Sequence, residues 1–191
     1  YLDQTGISAQ GLLEFFKLLQ REIRLTGGRE HPYLSSHPLT NDRIATVSGH
    51  LALSRFSNAP IAPDLARKHA YMRAKLIGFM EPLKTTLEIY PEDRDETPAR
   101  YARAIAYYRN ADINKALPLV NELIADEPDN PYFHELKGQM LLENGRVEDS
   151  LAPYERMVEL APDEPLLRTA LGKAQVESGR ADLLQPALKN L

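Results

Sequence analysis

The sequence contains no cysteine. That excludes disulfides, a cysteine-based zinc site and a thiol nucleophile. No apolar run approaches the roughly 18 residues of a membrane span, so no membrane span is expected, and the opening residues show no secretory leader pattern. Charge of one sign is lacking too. The 23 basic and 27 acidic side chains are interspersed, for a net charge of −4, which leaves neither a nucleic-acid tail nor an acidic solvating tract. The stretch ARKHAYMRAKL carries Arg67, Lys68, Arg73 and Lys75, but it reads as a solvated helix face and no nucleic-acid partner is expected. Catalytic signatures are missing as well. There is no GxSxG elbow, no Walker loop and no Gly-rich dinucleotide turn. None of His31, His37, His50, His69 and His134 has the spacing of a zinc-binding HExxH. By itself the chain is expected to be catalytically inactive and to hold neither metal nor cofactor.

What is present is helical periodicity with clear punctuation. Ser8 is a natural N-cap for SAQGLLEFFKLLQREIRL, which ends at Gly27-Gly28. Leu12, Phe15, Phe16, Leu19 and Ile23 form one stripe, with Leu13 and Leu18 beside it. A stripe this wide predicts a helix covered on more than one side, in a core whose other walls lie upstream. Thr40 is placed to cap a second helix, with Asp42 in its first turn and Ile44, Val47 and Leu51 on its buried side. A third helix is predicted from Pro63, and a short one, PLKTTLEIY, follows. The chain begins with Tyr1 rather than Met and stops within a periodic pattern, so it is read as a fragment.

From residue 97 the sequence repeats with a period of 34. Ala104, Gly138 and Gly172 keep that spacing, as do Ala111, Gly145 and Gly179, and Pro128 and Pro162. Each unit reads as helix, short turn, helix and an acidic-proline stop, a pattern that resembles the tetratricopeptide repeat. Small residues at 104, 138 and 172 permit close helix approach, and Ala116 and Ser150 do the same on the second helices. Leu184 departs from that rule. Pro118, Pro153 and Pro186 are each expected to remove a backbone donor about a turn and a half into a helix. Two full units, 97–130 and 131–164, precede a truncated third, 165–191. Residues 59–96 are expected to connect, with a further degenerate unit left open.

Arrays of this kind form a solenoid of helical hairpins whose first helices line a concave face. Candidate groove residues are Tyr101, Ile105, Tyr108 and Arg109, continuing through Tyr132, Glu135 and Gln139, with Glu143 and Thr169, to Lys173. One reading makes them a groove for a peptide or protein, with tyrosine anchors. The other packs the tyrosine-rich stripe on the helix at 64–80 or on an upstream domain.

The N-terminal part carries a more specific likeness. YLDQTGISAQGLLEFFKLLQRE followed by SSHPLTNDRI resembles the segment downstream of the zinc site in bacterial zinc metallopeptidases related to the CAAX prenyl endopeptidases and HtpX. The HPxxxxR element of that family matches His37, Pro38 and Arg43. A periplasmic, BepA-like branch joins such a peptidase to a C-terminal repeat array, in the order seen here. The resemblance implies that residues 1–58 are the last helices of a peptidase domain and that zinc belongs to the parent protein. It also implies that His37 is a regulatory metal-ligand candidate that holds the enzyme latent. From spacing alone, HPL simply positions a turn before Thr40 and Arg43 pairs with a carboxylate.

The expected fold is therefore all-α, a tetratricopeptide solenoid preceded by helices of a metallopeptidase domain. The expected function is that of a protein-binding, regulatory C-terminal piece of a periplasmic zinc metalloendopeptidase in envelope quality control. Its partners would be proteins or peptides and the upstream peptidase domain. The alternative is a stand-alone repeat adaptor without chemistry.

Overall fold

A computed structural model describes residues 1–25 and 41–191. All regular structure among them is helical, in two compact units, Tyr1–Arg67 and Lys68–Leu191.

The first unit holds α1 (Leu2–Thr5), α2 (Gln10–Leu25), α3 (Asn41–Leu53) and the start of α4 (Pro63–Met80). The Ser8 hydroxyl accepts from the Gln10 amide at 3.1 Å, the predicted capping role, and donates to the Ser57 carbonyl at 2.6 Å. Asp3 accepts from the Ser54 hydroxyl at 2.7 Å and lies 3.1 Å from His50 Nε2. These contacts tie α1 to the end of α3, and the Ser54 hydroxyl holds the Asp3 carboxyl below its ordinary range. The core here is small. Ala9 and Leu13 are buried, whereas Leu12, Phe15 and Leu18 remain 39%, 51% and 44% exposed. Among the described residues the apolar stripe of α2 is thus covered on one side only. Asp42 stands in the first turn of α3, as predicted; Thr40 and Gly27-Gly28 lie outside the described residues.

The second unit begins with the Lys68–Met80 part of α4 and a short α5 (Leu83–Ile89). Three hairpins follow: α6 (Thr97–Arg109) with α7 (Ile113–Asp126), α8 (Pro131–Glu143) with α9 (Val147–Leu160), and α10 (Pro165–Glu177) with α11 (Leu184–Asn190). The starts of these helices follow local chemistry. Asp112 accepts from the Lys115 amide and Asn130 from the Tyr132 amide, each satisfying an orphan donor, and α6, α8 and α10 each carry proline in the first turn. The 34-residue spacing of 111, 145 and 179 has a conformational basis, because all three turns adopt positive φ: 59°, 74° and 66°. Gly145 and Gly179 enter that region freely, whereas Ala111 does so against its Cβ.

Close helix approach occurs where the small residues predicted it. A Cβ on Gly138 would lie 2.8 Å from the Tyr154 ring, and one on Gly172 would lie 3.0 Å from Leu191 Cγ. A third close approach falls outside the repeat register. At Gly78 of α4 a Cβ would come within 2.8 Å of the Ala102 carbonyl oxygen and 2.9 Å of Ile105 Cβ. Pro118 and Pro153 lie inside α7 and α9 as predicted. Pro186 does not behave that way. A 3₁₀ turn, Ala181–Leu183, delays the start of α11, so Pro186 falls in its first turn, where a missing N–H costs nothing. The same delay turns Leu184 outward, at 50% exposure.

Two hydrophobic cores result. The larger joins α4, α6, α7 and α8 around Tyr101, Ile105, Val120, Leu123, Phe133 and Met140. The smaller gathers Leu151, Tyr154, Met157, Leu167 and Leu171 from α9 and α10. Buried Arg103 donates to the carbonyls of Pro91 (2.7 Å) and Arg94 (2.6 Å), and Tyr107 donates to Glu92 at 2.6 Å. Together they bind the 91–96 connection to α6.

Candidate functional site

The predicted stripe divides once α4 is in place. Tyr101 and Ile105 are 2% and 0% exposed. The Tyr101 ring packs edge-on against Tyr71 of α4 and Phe133 of α8, with centroids 6.4 and 5.2 Å away, and Tyr71 and Phe133 stand 5.9 Å apart. Ile105 faces Gly78. For these two residues the packing alternative, on the helix at 64–80, describes the structure. The reason is that α4 supplies the apolar surface opposite them.

The rest of the stripe stays accessible. Tyr108 is half-buried and donates to Glu143, which also accepts from Gln139 Nε2 at 2.9 Å. Burial and that carboxylate push the Tyr108 phenol well above its ordinary range. Tyr132 is 48% exposed. Lys75 reaches across to Glu135 at 3.2 Å and lies 5.4 Å from the centre of the Tyr132 ring. Arg109 and Lys173 are exposed and meet no carboxylate among the described residues. The Thr169 hydroxyl turns back to the Pro165 carbonyl at 2.9 Å. Burial raises the Tyr154 phenol, and the fields of Glu135, Glu143 and Glu177 raise it further.

Beside this face lies an open hollow of about 360 Å³. Tyr71, Met72, Tyr101, Tyr132 and Phe133 wall it, and Lys68, Lys75 and Asn130 complete the lining. The Tyr71 hydroxyl and Asn130 Nδ2 both donate to Glu127. Sequence reasoning placed Lys68 and Lys75 on a solvated face. The signal for the hollow was present nonetheless, in Lys68, Tyr71, Met72 and Lys75 at helical i, i+3, i+4 and i+7 spacing.

His37 and Pro38 lie outside the described residues, and Arg43 is exposed in α3. Among the described residues no group of three His, Cys, Asp or Glu is placed to hold a metal ion. No described helix is long and apolar enough to cross a membrane.

Residues 101–165 match the tetratricopeptide repeat family model. The solved structure of MamA MSR-1 C2 has the same kind of fold, with a TM-score of 0.52, 22% identity, and 65% of this chain and 71% of that one covered. The solved structure of a MamA mutant gives a TM-score of 0.52 at 19% identity, over 68% of this chain and 77% of that one. The beta-barrel assembly-enhancing protease of Yersinia pestis is 21% identical over 183 residues, 92% of this chain and 37% of that protein. A candidate beta-barrel assembly-enhancing protease of Vibrio cholerae is 27% identical over 140 residues, 69% of this chain and 28% of that protein. This chain therefore spans roughly a third of the length of these relatives. It is an all-helical protein with a tetratricopeptide-type array, distantly similar to the beta-barrel assembly-enhancing proteases.

Proposed function

We propose that this chain is the protein-binding C-terminal part of a zinc-dependent metalloendopeptidase of the bacterial periplasm, acting in envelope protein quality control. The array docks a substrate or an outer-membrane assembly partner, and residues 1–58 complete the peptidase domain. One observation carries this reading. The similarity to the Yersinia pestis protease runs through 92% of the chain, and so takes in the N-terminal helices together with the repeats. The half-exposed Leu12, Phe15 and Leu18 of α2 support it, because such a face suits closure by a further domain. Zinc belongs to the parent protein, held by residues outside this chain. His37, with Pro38 and Arg43, is the candidate to reach that metal and restrain it. An imidazole in the open fourth position of a catalytic zinc displaces the water that hydrolysis requires.

The residues encoded before Tyr1 provide the first test. An HExxH and a downstream glutamate ligand are expected there, and their absence would leave a stand-alone repeat adaptor. In the longer polypeptide about one zinc per chain is expected, and His37→Ala should raise cleavage of an unfolded substrate; unchanged or lower activity would refute the restraint. Tyr108→Ala should weaken capture of an unfolded outer-membrane β-barrel protein while leaving the array's melting little changed. Undiminished capture by that variant would remove Tyr108 from the docking face.

A further inference from the structure

We propose that the hollow between α4, α6 and α8 is a subsite for an aromatic side chain on an extended, neutral or acidic segment of a partner polypeptide, with a main-chain carbonyl of that segment accepting from the Tyr101 hydroxyl. The proposal deepens the reading of the array as protein-binding and rests on it.

Four observations point the same way. The first is Tyr101 itself. It is 2% exposed, and among the described residues its hydroxyl meets no hydrogen-bond partner, although the residue lines the hollow. The ring is buried but the hydroxyl reaches the open hollow with its donor untaken, so an acceptor on a guest can take the place of water there. The neighbouring polar groups are already engaged: the Tyr71 hydroxyl and Asn130 by Glu127, and Lys75 by Glu135.

The second is the wall. Tyr71, Tyr101 and Phe133 stand edge-to-face with one another, and Tyr132 and Met72 flank the opening at 48% and 49% exposure. Ring edges and a thioether favour an aromatic guest over a branched aliphatic one. The third is charge. The lining includes two ammonium groups, Lys68 and Lys75, and no carboxylate, although Glu135 pairs with Lys75 from beside it. Ammonium groups at the lining disfavour a cationic guest and suit a carbonyl acceptor. The fourth is size. About 360 Å³ lies near the bottom of the usual range of ligand pockets, which suits one large side chain with its flanking backbone rather than a cofactor.

The test is fluorescence anisotropy of the whole chain with a labelled peptide, acetylated and amidated, holding one Phe among Gly, Ser and Asp. Matched peptides carry Ala or Lys in place of Phe. The Phe peptide should bind tightest and the Lys peptide weakest. Tyr101→Phe keeps the ring and removes only the hydroxyl, so it should weaken the Phe peptide about three- to tenfold with circular dichroism unchanged. Met72→Glu should weaken it further. Equal binding of the Phe and Ala peptides, or an unaltered affinity for Tyr101→Phe, overturns the proposal. Much tighter binding of a free C-terminal carboxylate than of the amide would assign the hollow to chain ends and overturn it too. So would a sedimenting dimer that Met72→Glu dissociates. A urea-unfolded β-barrel protein, assayed in parallel, separates the two levels. If it binds while the peptides show no preference, only the subsite fails. If neither it nor any peptide binds, the protein-binding reading fails as well.

Discussion

Gly78→Ala tests whether α4 is an integral wall of the array. The added methyl would sit 2.8 Å from the Ala102 carbonyl oxygen and 2.9 Å from Ile105 Cβ. Neither neighbour can yield cheaply. The carbonyl is fixed by the helix that contains it, and Ile105 is fully buried. Overpacking of this kind costs about 1–3 kcal/mol. Against it stands a gain of at most about 1 kcal/mol from replacing a glycine by alanine in the last turn of α4. A net loss of about 1 kcal/mol is expected, with the excess felt where α4 meets α6. Gly49 of α3 is the counter-case, since a Cβ there would meet nothing within 4 Å. Gly49→Ala should therefore show the full helix-propensity gain. Urea unfolding followed by circular dichroism gives the sign of each change. Hydrogen exchange at the amides of residues 101–106 locates the loss, which matters because repeat arrays open in parts. If Gly78→Ala stabilises as Gly49→Ala does, and the α6 amides keep their protection, α4 is not packed as described.

Three further outcomes are expected. Ala111→Gly should stabilise the first hairpin by about 1 kcal/mol, because Ala111 holds φ 59° where glycine is at ease; thermal unfolding measures it. Arg103→Met keeps most of the buried stem but removes the guanidinium donor from both carbonyls, leaving Pro91 only the Arg94 amide at 3.1 Å. A loss of about 2–3 kcal/mol is expected by urea unfolding, and a change within error would show the guanidinium contacts to be dispensable. Alkaline pH should destabilise the array. Burial, with Glu92 beside it, pushes the Tyr107 phenol up to about 12, and Tyr101, Tyr108 and Tyr154 are raised as well. The folded state holds these protons more tightly than the unfolded chain does, whose phenols ionise near pH 10. Their contribution is complete below about pH 10 and is lost as the pH climbs toward 12. Absorbance at about 295 nm should then contain a component that rises only together with unfolding; ionisation of all nine tyrosines at pH 10 in folded protein would contradict the burial.

The repeat was legible because its determinants are local and periodic. Gly138 and Gly172 mark helix contacts, and the positions at 111, 145 and 179 mark left-handed turns. The caps at Asp112 and Asn130 stand beside their helices. The role of α4 was not legible in the same way. Periodicity shows which face of a helix is apolar, not which neighbour covers it, and Gly78 stands outside the 34-residue register. The sequence offered packing of the whole stripe on the helix at 64–80 as one reading, but not where it would stop; the Lys68–Met80 segment covers Tyr101 and Ile105 and spares Tyr108 and Tyr132. Lys75 misled for a related reason. A lysine among charged neighbours reads as solvated, but its ammonium pairs with Glu135 and lies over the Tyr132 ring. The lone departure at Leu184 had a visible cue in Pro186, since a proline two residues on suits a helix that is only beginning there.

Arg103 gives the junction between α5 and α6 a mechanical character. Its guanidinium grips two carbonyls of the 91–96 connection, Arg94 reaches the Ile89 carbonyl at 3.4 Å, and Tyr107 holds Glu92 from the following turn. Such a connection is a strut rather than a tether: it has no slack to take up. A displacement of α5 is therefore passed on to α6 and its hairpin rather than absorbed in the loop between them.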